Sequence, residues 1–234
     1  MRPARALADR ERMRFLGDDP ELLAKATPDS EMGCKRVLIT SDWYPTLTRP
    51  NVELLNGRVE RITPGGVVGP DGVEREADTI VFGTGFESHN FMAPMEVSGL
   101  EGRDLNEVWG QRPEAFLGTT VAGFPNMFVL YGPNTNHGAG SVPYLLECQF
   151  DYVLDALGRM RDRGLRYIDL RPEAQAAWRR EMDERSAKTV WITGCANWYV
   201  NEAGENTNNW PGPWLEYRRR TRRINPADYR AALA

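Results

Sequence analysis

Three short stretches of the chain carry residue types able to do chemistry. Lys35-Arg36 sets two cations side by side just after Gly33-Cys34. Asp78 opens the run Thr79–Phe82, which stops at Gly83-Thr84-Gly85-Phe86. Gly132-Pro133-Asn134 ends the apolar run Met127–Tyr131 and begins a loop through His137, Gly138 and Gly140 to Ser141. A guanidinium meets an oxyanion with a rigid fork of donors, whereas an ammonium suits phosphate as a flexible point charge. Glycine at the end of a strand lets backbone amides approach a ligand that a side chain would block. In open α/β sheets, ligands collect beyond the carboxyl ends of the strands. On residue type alone each stretch also has a plainer reading: solvated charges at a strand mouth, a turn after a buried strand, an ordinary strand-to-helix connection.

Such residues need elements to hold them. Thr79–Phe82 and Met127–Tyr131 are short β-branched or apolar runs bounded by Gly or Pro, the pattern of buried strands in a parallel or mixed sheet, and Cys34–Thr40 reads as a strand entered through Gly33. Val52–Leu55, Val59–Thr63 and Val67–Val68, with turn signals at Gly65-Gly66 and Pro70-Asp71-Gly72, predict a small antiparallel excursion. Helices are predicted at Arg2–Leu16, Pro20–Ala26, Leu105–Trp109 and Pro172–Ala187, with a strand at Tyr167–Leu170. The longest helix is Val142–Arg163. Its apolar positions Leu146, Phe150, Val153, Leu157 and Met160 fall at intervals of 4, 3, 4 and 3, one face of an amphipathic helix. Ser141 is placed to cap it and Pro143 is tolerated in its first turn. The fold class is therefore α/β, and the helix start beside the Gly/Asn loop is a partial positive centre.

Bulk properties exclude several classes. A chain of 234 residues with 41% hydrophobic and 26% charged content forms one large or two small soluble domains. No apolar run approaches the eighteen or so residues of a membrane span, and no secretory leader follows Met1. A net charge of −4 gives no general attraction to nucleic acid. The basic run Tyr217–Arg223 reads as a solvated or salt-bridged surface strip. Cys34, Cys148 and Cys195 are an odd number without a C-x-x-C pair, which predicts free thiols in a reducing cytoplasm. His89 and His137 do not combine with them at zinc-binding spacing, so no metal is expected. Ser141 near His137 would suit a hydrolase, but no Gly-x-Ser-x-Gly elbow is present.

The motifs also resemble a known family. Asp78-x-x-x-x-Gly83-Thr84-Gly85-Phe86 resembles the second flavin-domain motif of class B flavoprotein monooxygenases, the flavin-containing and Baeyer–Villiger enzymes, with Gly83 where Ala is usual. Gly33-Cys34-Lys35-Arg36, followed by Asp42-Trp43-Tyr44 and Arg49-Pro50-Asn51, resembles the return from the NADP domain to the flavin domain. Phe124-Pro125-Asn126-Met127-Phe128-x-x-x-Gly132-Pro133-Asn134 and Cys195-x-x-Trp198-Tyr199 are similar to later motifs of the same family. The resemblance implies FAD and NADPH as cofactors and a small-molecule ketone as substrate. It implies Arg36 as the active-site cation, stabilising the negative charge that develops as oxygen is inserted. It implies Lys35 on the NADP 2′-phosphate, Trp198 against NADP, and Asp78, Gly83, Thr84, Gly85, Gly132, Pro133 and Asn134 around the flavin. The Lys35-Arg36 pair favours ketone oxygenation over N- or S-oxygenation.

The resemblance covers roughly residues 15 to 230, in the family's order. Neither Gly-x-Gly-x-x-Gly loop of the family is present: Ser88 and Pro143 stand where third glycines would be. The chain thus resembles the C-terminal part of a two-dinucleotide-binding fold. Residues 1–33 would end the NADP-binding domain, 34–165 continue the FAD-binding domain, and 166–234 form a helix and a Trp/Asn-rich extension. The expected partner is the missing N-terminal half or a partner subunit, packed on exposed apolar surface. The alternative is a non-catalytic, partner-dependent module.

Overall fold

The structure, a computed structural model, describes residues 2–138 and 140–233; Ala139, within the Gly/Asn loop, lies outside them. The chain separates into two compact units: Met1–Met32 with Leu38–Phe86, and Gly33–Val37 with Glu87–Ala234. These divisions fall at other points than 33/34 and 165/166. Lys35 and Arg36 group with the C-terminal residues, and Asp78–Phe86 with the N-terminal ones.

The first unit holds helices α1 (Arg2–Leu16), α2 (Pro20–Lys25) and α3 (Trp43–Leu47), and strands β1 (Arg61–Thr63), β2 (Gly66–Val68) and β3 (Glu74–Glu76). Asp19 caps α2 by accepting from the Leu22 amide at 2.9 Å, with Pro20 in the first turn. The strands form one antiparallel sheet in the order β1-β2-β3, as the turn residues between them require. Arg75 on β3 pairs with Glu53 and Asp71 at 2.7 and 2.8 Å.

The second unit holds α4 (Leu105–Trp109), α5 (Val142–Arg163), β4 (Leu165–Leu170), α6 (Pro172–Ser186), α7 (Val190–Thr193), α8 (Trp214–Thr221) and β5 (Tyr229–Leu233). β4 and β5 pair antiparallel, Ile168 opposite Ala231. Two cores form. Tyr152, Trp178, Trp210, Tyr217 and Tyr229 anchor the larger; Leu105, Trp109, Phe124 and Val129 anchor the smaller. Trp178 and Trp210 stack 5.7 Å apart at 6°, with the Arg220 guanidinium 4.8 Å from Trp178. Arg220 also holds Glu181 at 2.6 and 2.8 Å, and the carboxyl of Glu181 is lowered below its ordinary pKa by that hydrogen bond. The basic run is thus partly salt-bridged, and α8 carries most of it.

Two expectations need correction. First, Cys34–Thr40, Val52–Leu55, Thr79–Phe82 and Met127–Tyr131 join no ladder. A strand is stable only when its N–H and C=O groups meet a neighbour. The apolar pattern marks a place in a sheet but does not supply the adjacent strand, and among the described residues none is adjacent. Ile39 is 98% exposed, Val81 88% and Phe86 97%, the uncovered apolar surface expected of a partial fold. Second, α5 buries Leu145, Cys148, Gln149, Tyr152 and Ala156, while Phe150 and Leu157 are exposed. The buried stripe lies one position beside the predicted one because two of its members are polar and satisfied. Gln149 accepts from the Tyr131 amide and donates to Gly118 and Thr119, and the Tyr152 and Tyr229 hydroxyls bond each other.

The Trp178–Trp210 stack sets the expected cost of disruption. Trp210→Ala should lower unfolding free energy by about 3–5 kcal/mol, whereas Leu154→Ala on exposed α5 surface should cost under about 0.5 kcal/mol. Urea denaturation of the two variants checks the ranking, and equal losses would contradict it.

Candidate functional site

The Gly/Asn loop is buried from Gly132 to His137 although it belongs to no named strand. Its backbone is satisfied by the Asn-rich segment near the C-terminus. The Asn134 and Asn136 amides donate to the carbonyls of Thr207 and Asn208 at 2.9 and 3.0 Å, and the Trp210 amide donates to the Asn136 carbonyl at 2.8 Å. The Asn134 side chain donates to the Asn206 carbonyl at 2.8 Å, and Asn136 Nδ2 to Asn209 Oδ1 at 2.7 Å. Asn134 has φ +57°, a left-handed conformation that Asn tolerates better than most residues. Two of the loop amides therefore face the protein's own carbonyls. Ser141 caps α5 as expected, accepting from the Tyr144 amide at 3.3 Å.

Arg36 reaches this loop. Its Nη1 donates to the His137 carbonyl oxygen at 3.2 Å. The His137 ring stacks on Trp214 with centroids 4.0 Å apart and planes 17° from parallel. Burial lowers the His137 pKa from 6.5 to about 4, so the stacked ring is neutral near pH 7. The glycines that follow fit between indoles. A Cβ on Gly138 would lie 3.2 Å from Trp191 Cζ2, and one on Gly140, whose φ is +154°, would fall inside the Trp214 ring.

Tyr199 lies within electrostatic range of Arg36. It is fully buried, its hydroxyl has no partner among the described residues, and burial raises its pKa while Arg36 acts in the opposite sense. Trp198, 46% exposed, tilts against Tyr199 at 4.6 Å, and its carbonyl accepts from Ser88 Oγ at 2.7 Å. Lys35 is exposed. Cys34, expected free, is bonded to Cys195 across 161 residues of sequence, and Cys148 alone is a free thiol. Cysteine spacing carries no information on such a long-range pair.

The second unit thus brings Arg36 together with the Gly132–His137 loop, Tyr199 and the Trp198 segment. Asp78, Gly83, Thr84 and Gly85 belong to the first unit and are exposed there. A Cβ on Gly83 or Gly85 would meet nothing within 4 Å, so no close approach of protein atoms explains those glycines. The His137–Trp214 stack and the unpartnered Tyr199 hydroxyl had no signature in sequence, since both depend on contacts across long separations. Among the described residues no group of three or more His, Cys, Asp or Glu side chains is placed to hold a metal ion, and no helix is long and apolar enough to cross a membrane.

The neutral His137 gives a pH dependence of stability. His89 is lowered by burial as well, so it acts in the same direction. Between about pH 6.5 and about pH 4 the unfolded chain binds more protons than the folded one. The histidine contribution to stability is therefore fully present above about 6.5, falls as pH drops through this window and levels off below it. His137→Phe keeps an aromatic face for Trp214 and should remove up to about 3 kcal/mol of that fall. Urea midpoints measured across the window for both proteins check this; an unchanged slope would contradict the burial of a neutral imidazole.

No protein-family model matches the chain. A Baeyer-Villiger monooxygenase of Streptomyces coelicolor is 43% identical over 213 residues, 90% of this chain and 41% of that protein. The FAD-binding monooxygenase ktnD of Aspergillus niger is 37% identical over 220 residues, 92% of this chain and 36% of that protein. The solved structure of an oxidised steroid monooxygenase bound to NADP superposes with a TM-score of 0.85 at 30% identity, covering 99% of this chain and 45% of that one. The chain spans about two fifths of the length of the curated relatives it matches. In sequence and in fold it is similar to part of the flavin-dependent monooxygenases that include Baeyer–Villiger enzymes.

Proposed function

We propose that this chain supplies the active-site cation of an FAD- and NADPH-dependent monooxygenase that inserts one oxygen atom beside the carbonyl carbon of a ketone. The observation that carries this reading is the Arg36 guanidinium fixed on the carbonyl of His137, on the same loop that bears Gly132-Pro133-Asn134. A carbonyl holds the guanidinium in place without neutralising it. Arg36 is exposed in this chain, and its positive charge is left to act on an anion.

The residues present fit one end of such a site. Arg36 supplies charge, and the buried Tyr199 hydroxyl, without a partner among the described residues, keeps a free donor. Trp198 offers a half-exposed indole face and Lys35 an exposed ammonium, suited to the nicotinamide and the 2′-phosphate of NADPH. Gly132, Pro133 and Asn134 would border the flavin ring, and Asp78, Gly83, Thr84 and Gly85 would contribute further flavin contacts. When bound, FAD supplies the oxygen chemistry and NADPH the reducing equivalents. The pyrophosphates have no glycine-rich cradle in this sequence, so an N-terminal half or a partner subunit provides it. We place the complete enzyme in the cytoplasm. A second reading, a partner-dependent module without activity of its own, is favoured by the exposed Val81, Phe82 and Phe86.

Two experiments test the proposal. In a chain completed with the N-terminal half of the Streptomyces relative, Arg36→Ala should reduce ketone oxygenation by at least about 100-fold; activity within a few-fold of the parent would remove Arg36 from the chemistry. Purified by itself, the chain should emerge colourless, and stoichiometric FAD retained through gel filtration would refute the missing cradle.

A further inference from the structure

We propose that Cys34–Cys195 is a reversible redox tether on the Arg36 segment, opened by a dithiol reductant and closed by oxidation. Its consequence for catalysis rests on the reading of Arg36 given above; its existence does not. Cys34 lies two residues before Arg36 and Cys195 three before Trp198, so one covalent bond ties both segments, with Cα atoms 6.0 Å apart. The Cys195 side is also held by Asn197, which donates to the Trp191 and Cys195 carbonyls and accepts from the Tyr199 amide, and by Ser88 on the Trp198 carbonyl, so the bond matters most on the Cys34 side. Residues 33–37 belong to no helix or strand, and among the described residues Arg36 is linked onward through one hydrogen bond, to the His137 carbonyl. Beyond the four-residue α7, the chain from Gly194 to Tyr199 is irregular.

The two sulfurs differ in access. Cys34 is fully buried, whereas Cys195 is part-exposed. An external thiolate therefore meets Cys195 Sγ first. In that step a new S–S bond forms between the reductant and Cys195, the Cys34–Cys195 bond breaks, and its electron pair leaves on Cys34 Sγ. Asn197 Nδ2, 3.4 Å from Cys34 Sγ, donates to the departing thiolate, and Lys35 and Arg36 are the next two residues along the chain. The second thiolate of the reductant then attacks its own sulfur in the mixed disulfide and releases the Cys195 thiolate. The protein disulfide gains two electrons and two protons, and the dithiol becomes a cyclic or intramolecular disulfide. Cys148 takes no part: it is buried on α5 and its thiol pKa is raised by burial.

The test uses the intact chain and needs no flavin. Protein oxidised with glutathione disulfide is treated with increasing dithiothreitol, quenched in acid, unfolded and labelled with a maleimide. Intact mass should rise from one adduct to three, at dithiothreitol concentrations that leave the far-ultraviolet circular dichroism unchanged. Hydrogen exchange over residues 34–37 and 191–199 should accelerate at least about ten-fold on reduction, with residues 145–156 of α5 unchanged. Cys195→Ser should exchange like the reduced parent and ignore the reductant. Three adducts in the oxidised protein would show that the bond does not form. Reduction only on global unfolding, or reduction with unaltered exchange at both segments, would equally overturn the tether. A failed monooxygenase assay would leave all of these readouts intact.

Discussion

Buried backbone must find hydrogen-bond partners, and the Gly132–His137 loop finds them mainly in Asn206–Trp210. Asparagine suits this task because its amide offers both donors and an acceptor on a short side chain. Asn206 illustrates the economy: its Oδ1 accepts from the Asn208 and Asn209 amides while its Nδ2 reaches Ser186 and the Asn209 carbonyl. Two irregular segments, separated by some seventy residues, thereby stiffen each other without a sheet. Everything attached to the loop, including the carbonyl that receives Arg36, inherits that rigidity.

Aromatic rings complete the frame. Trp191 lies against Gly138 and Trp214 against His137 and Gly140, so the two indoles leave little room for a side chain at either glycine. A protonated imidazole at His137 would set a second cation near Arg36. Burial keeps the ring neutral instead, and the local positive charge belongs to the arginine. Glycine is used here for clearance of the chain's own tryptophans. A Cβ at Gly83 or Gly85, by contrast, would meet none of the described residues within 4 Å.

Much of this architecture was legible locally. The Val142–Arg163 helix, the Ser141 cap and the Val59–Thr63 and Val67–Val68 pairing follow from signals within a few residues of one another and are present, whereas β3 is not among the strands the sequence predicts. The family was legible because Asp78–Phe86, Gly33–Arg36 and Phe124–Asn134 are contiguous strings. What failed depended on distance. Runs such as Thr79–Phe82 carry strand composition, but a ladder needs a second segment. The inward face of α5 was misplaced because Gln149 and Tyr152 are buried through hydrogen bonds to remote partners, which a count of apolar positions cannot register. The Cys34–Cys195 bond and the His137–Trp214 stack join residues that no spacing rule connects.

The uncovered run from Ile80 to Phe86 has a bearing on how the polypeptide survives in a crowded cell. Extended backbone with β-branched and aromatic side chains, low charge and open hydrogen-bonding edges is a template for strand addition from other molecules. Chaperones that bind short apolar segments would recognise the same stretch. A free polypeptide carrying such an edge is open to self-association that rises with its concentration.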